Sequence, residues 1–269
     1  MASYTKFAES GGARVVSINW RDSDKNIIDL VSKLNGVIFP GGGTELKDKD
    51  GKFTEYTKRG KVLLDKIKEM NNQGIYVPVL GICLGFQELS QIEAPYKDTL
   101  ELYKFDADDV ANNVTLFSDV SKSKLFKHIP QHLLTAIQKE NITYNHHHDG
   151  ILPPIYSKYP ELREYYLLGV SYDQKGLEYV AIVENKKYPF YGLQFHPEKN
   201  LFIWKKDLNV PHSPTSIELS QYISNFFIGE ARKNFNHFGS EEELFNRLVE
   251  NDILELTTSA AQDIYLYKV

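Results

Sequence analysis

Three short segments carry residues fit for covalent chemistry on a carbonyl carbon. The first is Gly81-Ile82-Cys83-Leu84-Gly85-Phe86-Gln87. An apolar run ends at Ile82 and a helical pattern starts at Leu84, so Cys83 falls in a sharp strand-to-helix turn. Glycines two residues before and after it leave room for a backbone conformation in which side chains would collide. A thiol there sits at a helix N-terminus, where N–H groups and the helix dipole favour the thiolate. A lone cysteine is more often a small buried hydrophobe. The strand, the Gly-x-Cys-x-Gly pattern and the helix together overturn that reading and make Cys83 the candidate nucleophile.

A thiolate needs a base, and the base needs an orienting group. Phe195-His196-Pro197-Glu198 closes the apolar stretch 191–194. Residues i and i+2 at a strand end project to one side, so Glu198 can fix the tautomer of His196. Taken alone, His-Pro-Glu is as readily a turn. The third segment, Pro40-Gly41-Gly42-Gly43, follows another buried run. Backbone N–H groups of Gly41 and Gly42, with that of Leu84, would form an oxyanion hole. A glycine loop alone is usually just a turn.

The elements that position these segments alternate as in an α/β protein. Helical patterns cover 2–10, 24–34, 54–71, 84–92 and 216–235, and apolar runs read as strands at 14–18, 36–39, 76–82, 177–183 and 190–195. The stretch 94–167 is harder to read, with a strand-like piece at 114–117 and a His-rich loop at His146-His147-His148. No internal repeat, linker or composition break divides the chain, which reads as one domain over 1–269. The expected fold is a three-layer αβα sandwich around a mostly parallel sheet.

Composition narrows the function. In 269 residues, 42% are hydrophobic and 25% charged, and no eighteen-residue apolar run offers a membrane span. A net charge of −5 gives no basic face for nucleic acid. One cysteine excludes a disulfide framework and a cysteine-rich zinc site. Three consecutive histidines cannot all face one metal from regular structure, so no metal and no cofactor are expected. The bland reading of that triplet is a solvated loop.

The three segments, in this order, resemble the class I glutamine amidotransferase-like superfamily, and within it γ-glutamyl hydrolase. The resemblance is carried by 2–16, by 35–42, by 81–90, by Lys187-Tyr188-Pro189 through Lys199, by Trp204 and by Glu230-Ala231-Arg232-Lys233-Asn234. It is weakest over 94–180 and after 240. The resemblance implies hydrolysis of γ-glutamyl bonds in folylpoly-γ-glutamates, with Cys83 as nucleophile, His196 as base and Glu198 as orienting carboxylate. It implies a second essential histidine within 145–149, for which spacing from the preceding Asn favours His147 while His146 and His148 stay open, and substrate contacts at Gln87 and Trp204. A polyanionic substrate tail asks for cations, for which His147, its neighbours and Lys199 are candidates. The sequons Asn113-Val114-Thr115 and Asn141-Ile142-Thr143 suit a lysosomal or secreted glycoprotein, and a homodimer is a further expectation.

Family members begin with a signal peptide and a first strand that have no counterpart here, so a core strand appears absent. A bare sheet edge beside the strand bearing Gly41 is therefore expected, open to residues before Met1 or to a borrowed strand. Two other functions share the motifs: an amidotransferase subunit feeding ammonia to a synthetase, and a scaffold that has kept the fold after losing activity.

Overall fold

A computed structural model of the chain describes residues 2–95, 97–256 and 263–266. The first part comprises α1 (Ala2–Ser10), α2 (Asp24–Val31), β1 (Val37–Phe39), α3 (Glu55–Asn72), β2 (Val79–Ile82) and α4 (Leu84–Glu93). The middle holds β3 (Ala107–Asn112), β4 (Thr115–Leu116), α5 (Gln131–Lys139), β5 (Thr143–His147), α6 (Ile155–Lys158) and β6 (Tyr165–Tyr172). Then come β7 (Glu178–Asn185), β8 (Phe190–Leu193), α7 (Pro197–Phe202), α8 (Pro214–Ala231), α9 (Glu241–Phe245) and the hairpin β9 (Ile253–Leu256) and β10 (Asp263–Leu266). Ser23, Thr54 and Ser213 start α2, α3 and α8 by accepting the N–H three residues on.

Six strands form the main sheet in the order β1-β2-β8-β7-β6-β4. Period-2 alternation sorts its side chains into two layers. Leu80, Ile82, Tyr191 and Leu193 pack with Tyr4 and Phe7 of α1 and with Leu219, Ile223 and Phe227 of α8. Val79 and Phe190 pack the other way, against Leu64 and Ile67 of α3 and Leu89 of α4. The sheet is thus sandwiched as expected. It is mixed rather than mostly parallel, because only β1-β2 and β2-β8 run parallel. The pairs β8-β7, β7-β6 and β6-β4 are antiparallel. The short turn 173–177, where Asp173 Oδ1 accepts the N–H groups of Lys175 and Leu177, returns β6 directly into β7 and leaves no room for a crossover.

Three local expectations change. His146 and His147 lie on strand β5, paired antiparallel with β3, rather than in a loop. The strand expected over 114–117 shrinks to the two residues of β4. Residues 14–18 form no strand: Val16 makes a single antiparallel bridge to Leu248, and Val15 carbonyl accepts the N–H of Val249. Extended backbone becomes a strand only with a neighbour to pair with, and among the described residues no sheet strand pairs with this one.

The edge expected there is present. Among the described residues β1 pairs with β2 alone. A groove of about 890 Å³ lies beside it, walled by Val15, Ile18, Ile38, Phe39, Leu63 and Glu88. Glu88 is 1% exposed, and no cation pairs with it among the described residues. Burial pushes its carboxyl up to about 8.

Candidate active site

The turn at Cys83 is tight. Cys83 has φ 52° and ψ −112°, a left-handed conformation for a residue with a side chain. Its N–H donates to Leu193 carbonyl at 2.8 Å, which pins the turn onto β8. Helix α4 then leaves so close to the sheet that a Cβ at Gly81 would stand 2.8 Å from Gly85 carbonyl, and one at Gly85 would overlap Phe39 carbonyl. Larger residues at either position would push the helix, and with it the thiol, off the strand.

His196 follows β8, and its N–H donates to Tyr144 carbonyl at 2.8 Å. Its Nδ1 stands 2.9 Å from Glu198 Oε1, and both side chains are buried, Glu198 completely. A carboxylate at Nδ1 makes that nitrogen the donor and leaves Nε2 for another partner. Burial disfavours the imidazolium, but the charges of Glu198 and Cys83 outweigh it and push His196 up to about 9.

Two residues around this pair escaped the motif analysis. Gln194, fully buried, directs Nε2 at Cys83 Sγ from 3.7 Å, while its Oε1 accepts from Gln87 Nε2 at 3.2 Å. Its signal was the period-2 relation to His196. Tyr4 was invisible, because 192 positions separate it from the histidine it approaches. Its hydroxyl accepts the N–H of Gly41 at 2.9 Å, so that donor is already engaged. Gly42 lies next to Leu84, where a Cβ would sit 3.4 Å from Leu84 Cδ2. Leu84 N–H belongs to the first turn of α4, which lacks intrahelical acceptors.

The neighbouring wall is knotted at one carbonyl. Asp149 carbonyl accepts both Gln87 Nε2 and His147 Nδ1, at 2.9 and 2.8 Å. A carbonyl only accepts, so His147 carries its proton on Nδ1 and presents a bare, buried Nε2 with no partner. Burial pushes its imidazolium down to about 3. His147 is therefore neutral and corrects the expectation that it serves as a cation. His146 lies 2.6 Å from Asp108, so its charge is already countered when it is protonated. Lys199 is buried, with its ammonium over the Tyr144 ring. Trp204 is 66% exposed and stacks on His212 at 3.7 Å. The structure thus gathers Cys83, His196, Glu198, Gln87, Leu84 and the Gly41-Gly42 loop, with His147 joined to Gln87 through Asp149.

Residues 4–208 match the family described as glutamine amidotransferase class-I. Gamma-glutamyl hydrolase B of Dictyostelium discoideum is 33% identical over 252 residues, covering 93% of this chain and 71% of that protein. The gamma-glutamyl hydrolase of Rattus norvegicus is 36% identical over 92% of this chain and 76% of its own. That of Homo sapiens is 33% identical over 90% and 74%, respectively.

Proposed function

This chain belongs to the γ-glutamyl hydrolases of the class I glutamine amidotransferase family, and from that premise we propose that it cleaves folylpoly-γ-glutamates through a thioester on Cys83. The thiolate attacks the γ-carbonyl carbon, and the carbonyl electrons collect on oxygen against the N–H groups of Leu84 and Gly42. Collapse of that oxyanion breaks the C–N bond, and the His196 imidazolium gives its proton to the leaving amine. His196, now neutral, takes a proton from water, which attacks the thioester. Breaking the C–S bond releases the acid and restores the thiolate.

The observation that carries this reading is the strained Cys83 at the head of α4 beside the buried His196–Glu198 pair. His147 Nε2, neutral and unpartnered, suits a donor such as the amide N–H of a γ-glutamyl link. Lys199 is the cation best placed for a substrate carboxylate, since no acid pairs with it among the described residues. Trp204 offers an exposed ring for the substrate's aromatic part. The domain extends over 1–269, and the enzyme acts as a lysosomal or secreted glycoprotein and a homodimer. Exposed Asn141 is the better of its two sequons, because Asn113 Nδ2 already donates to Gln138 carbonyl. No helix among the described residues is long and apolar enough to cross a membrane.

Incubation with pteroylpentaglutamate followed by product chain lengths tests the reading. Shortened folates and glutamyl fragments, with an acyl adduct on Cys83 in quenched samples, are expected. Intact substrate with glutaminase activity in their place would assign the chain to the amidotransferases.

A further inference from the structure

A chain of hydrogen bonds behind the sulfur runs in one direction only. It starts at Asp149 carbonyl, which can accept but not donate. Gln87 reaches that oxygen at 2.9 Å and so must present Nε2 to it. The same nitrogen stands 3.2 Å from the Gln194 amide, and its second N–H again needs an acceptor. Gln194 therefore turns Oε1 to Gln87 and Nε2 to Cys83, 3.7 Å from Sγ. The two ends of an amide have nearly the same shape, but the carbonyl at the start decides which of them faces the sulfur. Both glutamines are buried, Gln194 completely, so bulk water cannot take over that N–H.

The sulfur carries different charge in the two halves of a thiol-dependent hydrolysis. In acylation the thiolate gives its electron pair to carbon and loses charge, so a donor at Sγ helps the starting state more than the transition state. In thioester breakdown the oxygen of water bonds to the carbonyl carbon and its proton goes to His196. The C–S bond then breaks, and its electron pair returns to sulfur as the acid leaves. A preorganised donor aimed at developing charge lowers the barrier to that step.

Resting on the Cys–His–Glu hydrolase reading, we propose that Gln194 is a catalytic donor that receives the charge returning to Cys83 when the thioester breaks. Gln87 is the positioning residue that keeps its amide the right way round. His147 Nδ1 shares the Asp149 carbonyl at 2.8 Å, so the wall that bears His147 and the sulfur are tied to one backbone oxygen.

Gln194→Met keeps the length of the side chain and removes the N–H. Quenched-flow measurement with a poly-γ-glutamate should show the Cys83 thioester decaying about tenfold more slowly, with release of the leaving amine no slower than in wild type. Gln194→Glu is isosteric, and while protonated it can give O–H to sulfur and accept from Gln87, so at low pH its thioester should decay within about twofold of wild type. Gln87→Met should also slow the decay, and the double variant should be no slower than Gln194→Met alone, because Gln87 acts through Gln194. Acetylation of Cys83 by p-nitrophenyl acetate gives the same decay step without the natural substrate. Were wild type to leave poly-γ-glutamates intact while the acetyl thioester still decayed more slowly in Gln194→Met, the substrate assignment would fail and the role of Gln194 would stand. Equal decay in wild type and Gln194→Met would overturn that role, as would an equal loss in amine release and decay. Failure of the Met variant to fold leaves the Glu variant to decide, and decay about tenfold slower than wild type at low pH would then overturn the proposal.

Discussion

Helix α4 has two sides held in opposite ways. At its head, Gly85 lies so close to Phe39 carbonyl that no side chain fits. Three residues on, Glu88 faces the groove beside β1 with a buried carboxylate that no cation neutralises among the described residues. The head is anchored between β2 and β8, strands paired on both sides, whereas the flank borders an edge strand. Backbone hydrogen bonds fix a position to a few tenths of an ångström, and covalent chemistry needs that precision. The edge carries only the Gly41-Gly42 loop, which Tyr4 ties back to the histidine.

The contrast is broken most directly at its tight end. Cys83→Ala should lower hydrolysis by several orders of magnitude with its thermal midpoint no lower than that of wild type, because the thiol serves substrate more than packing. Residual turnover within tenfold of wild type would show that another group attacks. His196→Asn should cost nearly as much, since nucleophile and base act as a unit, and Glu198→Gln less, because it orients the ring and steadies its charge. A Gln variant slower than the Asn variant would reverse the two roles.

Stability variants sharpen the same contrast along one helix. Gly85→Ala forces a methyl into a backbone carbonyl and should cost several kcal/mol, read as a large drop in unfolding midpoint. Wild-type stability would mean that the head of α4 is freer than its packing indicates. Glu88→Gln should do the opposite. The folded-state pKa of Glu88, about 8, lies above its unfolded value, so the native state binds the proton more tightly. Native stability then falls as pH rises from about 4.5 towards 8. Replacing the acid by an amide should raise the midpoint at pH 8.5 by the equivalent of a few kcal/mol and change it little at pH 4.5. Equal effects at both pH values would place a counter-charge beside Glu88.

These differences also mark what could be read from the chain alone. Cys83 was legible because its turn is specified locally, by two glycines and a change of period within seven residues. His196 and Glu198 were legible for the same reason, and Gln194 could have been added by extending the alternation back one step. Tyr4 could not, since nothing at Ala2-Ser3-Tyr4 encodes the fold that carries it to Gly41. The strand at His146-His147 was hidden because histidine is no strong strand former and its partner, β3, is supplied from 107–112. The reverse error at 14–18 has the same root: propensity was present and a pairing partner was not. A parallel sheet was inferred from alternating elements, while the antiparallel half depends on the turn at 173–177, whose capping Asp173 carries no long-range signal.

The single thiol has a redox consequence. A thiolate beside an imidazolium is the form that peroxide oxidises to sulfenic acid. Sulfenic acids are commonly rescued by condensation with a second cysteine of the same chain, and the 269 residues contain only Cys83. A thiol that condenses with it must reach a residue that is only 4% exposed. A small reductant reaches it more easily than a protein one, and any delay leaves time for the further step to sulfinic acid, which is not reversed. If Cys83 is the nucleophile proposed above, the burial of that residue thus also ties its activity to the thiol pool of the surrounding compartment.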